Sequence, residues 1–98
     1  MQSVFLVAYD VADDKRRTRL FNKLKGYGYS LQYSIFRCHL TPSQKLQLRS
    51  DIWPLLNQST DRILLVDIGP DGGRGSQSLE SWGKPMEDPA MNGKILIV

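Results

Sequence analysis

Ninety-eight residues with 41% hydrophobic and 23% charged side chains suit one small globular domain and leave no room for two cores. A single cysteine, Cys38, excludes an internal disulfide, and no apolar run approaches the roughly twenty residues of a membrane span. Met1-Gln2-Ser3 lacks the charged start of a signal peptide, so a cytoplasmic protein without membrane association is expected. The formal charge of +3 hides an asymmetry. Met1 to Arg49 holds nine Lys/Arg against three Asp, and Ser50 to Val98 holds four against seven acidic residues. Six of the nine cations, Lys15, Arg16, Arg17, Arg19, Lys23 and Lys25, fall in one short stretch. Such clustering points to an anionic partner, nucleic acid first. The plainer reading is a solvated helix face.

Val4 to Tyr9 reads as a strand, apolar on both faces and ended by Asp10. Asp13 or Asp14 can cap the helix that follows, which runs to about Lys25 before Gly26 and Gly28 stop it. At 100° per residue Leu20, Phe21 and Leu24 share a face, with Arg17 one turn earlier on the same side. Arg16, Arg19 and Lys23 form a stripe on another. Leu31 to Leu40 is strand-like, either continuous or reversing near Tyr33-Ser34. Thr41-Pro42, with Gln44 completing a capping box, starts a second helix. Its expected buried face is Leu46, Ile52, Trp53 and Leu56, and Pro54 kinks or restarts it.

Arg62 to Ile68 reads as another strand. Gly69 to Gly75 then holds four glycines and a proline, a hinge or connector. Lys94 to Val98 closes the chain as a short apolar strand that must pair with its own sheet edge or a neighbouring chain. The expected organisation is a core over 1–68 and a flexible connector with a C-terminal pairing strand over 69–98. The element order fits an α+β fold of ferredoxin-like type, an antiparallel sheet with two helices on one face. Because the first and fourth strands are apolar on both faces, either the tail or a second copy should cover the open side.

Chemistry has few candidates. Cys38 and His39 are adjacent in a strand and point to opposite faces, so they form neither a nucleophile–base pair nor a zinc site. The glycine-rich loop lacks the Gly-Lys-Ser/Thr ending of a phosphate loop. Asp10 stands at the end of a strand, where the sheet fixes it while its carboxylate reaches solvent. A turn-forming role, bonding nearby backbone N–H groups, is the alternative. Tyr9 and Phe36 are strand aromatics able to stack on bases. One carboxylate is a thin ligand set for Mg²⁺. A twofold axis near Asp10 would bring in a second, and a divalent ion would relieve the repulsion between them.

Tyr9-Asp10-Val11, Asp13-Asp14, Arg17-x-Arg19-Leu20, Leu24, Gly28 and Leu31-Gln32-Tyr33-Ser34-Ile35-Phe36 together resemble the CRISPR-associated protein two family. The likeness is close over about the first forty residues. It implies a ferredoxin-like homodimer whose final strand packs on the partner's sheet. It also implies Mg²⁺ shared between the two Asp10 residues, and a metal-dependent endonuclease acting on single-stranded RNA or double-stranded DNA. By the same likeness Tyr9, Asp10, Arg17, Arg19 and Phe36 belong to the active cleft, and the CRISPR integrase is a partner in spacer acquisition. Arg16, Arg19, Lys23 and Arg37 are the expected nucleic-acid contacts. Ser30 stands where a basic residue is common in the family, and Arg37 where an acidic one is. A scaffold that grips duplex DNA and bridges integrase dimers without chemistry is the alternative to an enzyme.

Overall fold

The computed structural model describes residues 2–84 and 96–97. Its first strand, β1 (Ser3–Asp10), leads through Asp13 into helix α1 (Asp14–Leu24). The Asp13 carboxylate accepts the Arg16 backbone N–H at 2.9 Å, so Asp13 and not Asp14 is the cap. Strands β2 (Gly28–Gln32) and β3 (Ile35–Leu40) form a hairpin turning at Tyr33-Ser34. The Leu31–Leu40 region therefore spans a reversal: Leu31-Gln32 end β2, which starts earlier, at Gly28, and Ile35–Leu40 form β3. Gly28 is required there: a Cβ would lie 2.1 Å from the Arg37 carbonyl oxygen.

Helix α2 (Pro42–Ile52) starts on the expected capping box, with Gln44 N–H donating to Thr41 Oγ1 and Thr41 N–H to Gln44 Oε1. At Pro54 it gives way to a 3-10 turn, Trp53–Leu55. Its buried residues are Leu48 and Ile52, whereas Leu46 and Trp53, expected inside, are exposed. The reason is angular. Leu48 and Ile52 are one turn apart, and Leu46 lies about 200° round the helix from Leu48. Leu46 and Trp53 instead line an apolar groove of about 820 Å³ between α2 and β4 (Arg62–Asp67).

The four strands form one antiparallel sheet in the order β2-β3-β1-β4, the βαββαβ arrangement of the ferredoxin type. Both helices cover one face. Phe5, Val7 and Tyr9 of β1 with Phe36, Cys38 and Leu40 of β3 pack there against Leu20, Leu24, Leu48 and Ile52. The opposite face carries Leu6, Ala8 and Asp10 beside Arg37, Ile35, Arg62, Leu64 and Val66. After β4, the segment read as a connector turns back over one end of this open face. Gly73 leads into a single turn, α3 (Arg74–Gln77), and Arg37 bonds Ser76 Oγ at 2.8 Å. Gly75 allows the close approach, since a Cβ there would lie 2.1 Å from the Ile68 carbonyl oxygen.

Two short strands, β5 (Glu80–Ser81) and β6 (Leu96–Ile97), pair in parallel as a separate sheet. Of the expected terminal strand, the described residues Leu96 and Ile97 pair with β5. The rest of the expected strand, Lys94-Ile95 and Val98, lies outside the described residues, as does the stretch 85–93. No helix among the described residues is long and apolar enough to cross a membrane.

Candidate active site

Strand alternation divides β1 between two jobs. Tyr9 points into the core, and Asp10, one residue on, emerges on the opposite face at the strand end. The Asp10 carboxylate is exposed and makes no hydrogen bond or ion pair among the described residues. It is not a turn-forming aspartate. Its cross-strand partner on β4 is Arg62, an exposed cation that the sequence reading did not single out. On the other side Tyr9 N–H donates to the Ser34 carbonyl at 3.0 Å, one step beyond the Ala8–Ile35 pair. The tip of the β2–β3 hairpin, Tyr33-Ser34, is thereby tied to the residue that precedes Asp10.

Tyr9 is held by packing and by one polar contact. Its ring lies 6.3 Å from that of Phe36, and its hydroxyl donates to the Tyr33 carbonyl at 3.3 Å. Burial raises the phenol pKa, partly offset by the nearby Arg17 charge, so this hydroxyl stays protonated at neutral pH. Phe36 is completely buried and packs edge-on against Phe21 at 5.3 Å. It supports Tyr9 from below and offers no face to a base.

The basic residues divide sharply. Arg17 sits at the rim rather than under the helix: its guanidinium donates to the Val11 carbonyl at 3.0 Å and pairs with Asp14. That bond ties the start of α1 to the turn after Asp10. Arg19 and Lys23 are exposed and without ion pairs among the described residues. Arg16, expected on the same stripe, instead folds onto Asp61, with bonds of 2.8 and 3.1 Å. This bidentate clamp holds the Asp61 carboxyl well below the usual carboxylate range, helped by the Asn57 N–H and the Thr60 hydroxyl. Arg37, expected to face nucleic acid, is 1% exposed and engages Ser76 and Asp71. In this conformation neither Arg16 nor Arg37 presents a free guanidinium to a phosphate.

Cys38 and His39 do face opposite sides, pairing with Phe5 and Val4 respectively. Burial pushes the Cys38 thiol up to about 11, which removes it as a nucleophile. Among the described residues no three of His, Cys, Asp and Glu gather as metal ligands. Asp10 alone supplies one free carboxylate, a donor that suits Mg²⁺ only with further oxygens from a second carboxylate, water or phosphate.

Comparison with known proteins identifies the family. Residues 3–72 match the family model for CRISPR associated protein Cas2. The chain belongs to the Cas2 family. It is 36% identical to a Rhodospirillum rubrum protein named CRISPR-associated endoribonuclease Cas2 1, covering 88% of this chain and 83% of that one. The crystal structure of a hypothetical protein from Thermus thermophilus superposes with a TM-score of 0.68 at 33% identity, covering 71% of this chain and 96% of the other. A chain from a partial Cas6-RT-Cas1–Cas2 complex does so with a TM-score of 0.59 at 31% identity, covering 72% and 82%.

Proposed function

We propose that this Cas2-family protein is a metal-dependent endonuclease that cleaves a phosphodiester bond, in single-stranded RNA or double-stranded DNA, at a site completed by a second copy of the chain. The observation that carries this reading is the free, exposed Asp10 carboxylate at the end of β1, with Arg62 across the sheet. Relatives named as endoribonucleases support the same chemistry. One carboxylate is half a metal site, and a homodimer joined through the open sheet face would bring two Asp10 residues to one Mg²⁺. Leu64 and Val66, 56% and 51% exposed on that face, give the second copy an apolar surface to cover. When bound, Mg²⁺ supplies polarisation of the phosphodiester and activation of water.

The chain's own residues do the rest. Asp10 would hold the ion, Arg19 and Arg62 present positive charge to the phosphate backbone, and Arg17 fixes the turn that follows Asp10. Tyr9, braced by Phe36, keeps the strand end in place.

A second reading is a non-catalytic scaffold that bridges integrase dimers during spacer acquisition. Likeness to a chain in a Cas1–Cas2 complex favours it, as do the exposed cations Arg19 and Lys23. The Asp10→Ala variant separates the two. The enzyme reading expects cleavage to fall to the level of EDTA-treated protein while dimer mass and DNA binding persist. Full cleavage by clean Asp10→Ala protein would leave the scaffold.

A further inference from the structure

Tyr33 occupies a position where its side chain has no structural use. The β2–β3 hairpin closes with two residues between Gln32 and Ile35, and the favoured turns of that length set the first of them at positive φ, which is why glycine or asparagine usually stands there. Tyr33 has φ of +22°, a conformation that costs a bulky residue and costs glycine nothing. Two hydrogen bonds from Tyr9 hold the tip in place, hydroxyl to Tyr33 carbonyl and N–H to Ser34 carbonyl. The ring itself is 96% exposed and makes no hydrogen bond or ring contact among the described residues. An exposed aromatic ring on a strained backbone is thus braced by Tyr9, the residue next to Asp10 at the end of β1.

We infer that Tyr33 is a stacking platform for an unpaired base of a single-stranded nucleic acid, seated beside the phosphodiester that Asp10 addresses. The inference rests on the nuclease reading for the identity of the neighbouring site. The chemistry is direct. An aromatic face accepts any base by stacking, whereas bases inside a duplex are already stacked and unavailable. The rigid turn keeps the ring raised before the strand arrives, so little ordering is lost on binding. Tyr33 therefore confers preference for unpaired over paired strands without reading sequence.

The test measures binding in EDTA, where cleavage is silent, with single-stranded RNA, single-stranded DNA and duplex DNA of one sequence. Tyr33→Ala is expected to weaken binding of one or both single strands about tenfold, with duplex binding within twofold of the parent. Tyr33→Phe should restore single-strand affinity. Tyr33→Gly should bind as poorly as Tyr33→Ala while raising the thermal midpoint, because glycine relieves the turn. A strand carrying abasic sites throughout should bind parent and Tyr33→Ala protein alike, a result that a merely structural role does not produce. Unchanged single-strand affinity in Tyr33→Ala would overturn the proposal. So would a fall to monomer mass in that variant, which would place the ring against a second copy instead. Because these readings need no catalysis, they stand or fall separately from the Asp10→Ala cleavage result.

Discussion

The two faces of the sheet are built from alternate residues of the same strands, yet they share almost nothing. One face carries Phe5, Val7, Tyr9, Phe36, Cys38 and Leu40 and is closed by the helices. The other carries the exposed Asp10, Arg62, Leu64 and Val66, and among the described residues its far end is covered by the segment that Arg37 secures to Ser76. The packed core lies on the first face and the proposed site on the second. Period-two alternation lets Tyr9 serve the core while its neighbour Asp10 serves solvent.

The largest effect that tests this division is in the core. Phe36→Ala removes a completely buried ring from contact with Tyr9 and Phe21, and a loss of about 3–5 kcal/mol is expected in chemical denaturation. Phe36→Leu keeps most of the volume and should cost less. For both, cleavage should fall only in proportion to the folded fraction. Lost cleavage in fully folded Phe36→Leu would move this residue to the functional side of the sheet.

How far the sequence exposes this arrangement depends on the distance between partners. The Asp13 cap, the Thr41–Gln44 capping box and the strand ending at Asp10 are local patterns, and the structure contains all three. The destinations of the arginines are not local. Arg16 meets Asp61 from 45 residues away and Arg37 meets Ser76 from 39, and no periodicity encodes which loop returns to which helix. Both arginines read from sequence as surface cations because charge alone does not reveal a partner. The reversal at Tyr33-Ser34 was visible only as a position, since a tyrosine occupied the place where glycine would have announced the turn. Leu46 and Leu48 show the same limit on a helix: both are apolar, and only the angle to the sheet separates them.

A smaller effect is expected on the open face. If a second copy covers Leu64 and Val66, burying a charge there opposes association. Leu64→Asp and Val66→Asp should each raise the dimer dissociation constant by at least about tenfold, read as monomer mass in light scattering at micromolar protein. Chemical stability of the monomer should hardly change, because neither side chain belongs to the helix-covered core. Unchanged mass in the double variant would place the dimer contact elsewhere on the chain.

The smallest effect lies at the rim between the faces, where Arg16 clamps Asp61. The Arg16 hydrogen bonds come first in holding the Asp61 carboxyl below its usual range, so its folded-state pKa lies below the unfolded value of about 3.9. A group shifted in that direction stabilises the fold fully above the unfolded pKa and loses the contribution as pH falls through the folded one. Asp61→Asn should therefore lower the thermal midpoint at pH 7, and its difference from the parent should shrink steadily as the pH falls below about 4. The expected nucleic-acid consequence has the opposite sign from the one the basic stripe suggests. Asp61→Asn releases Arg16 from its anionic partner, so binding to an anionic strand should hold or strengthen while the fold weakens. Weaker binding by folded Asp61→Asn protein would mean that the clamp positions the nucleic-acid surface rather than withholding a cation from it.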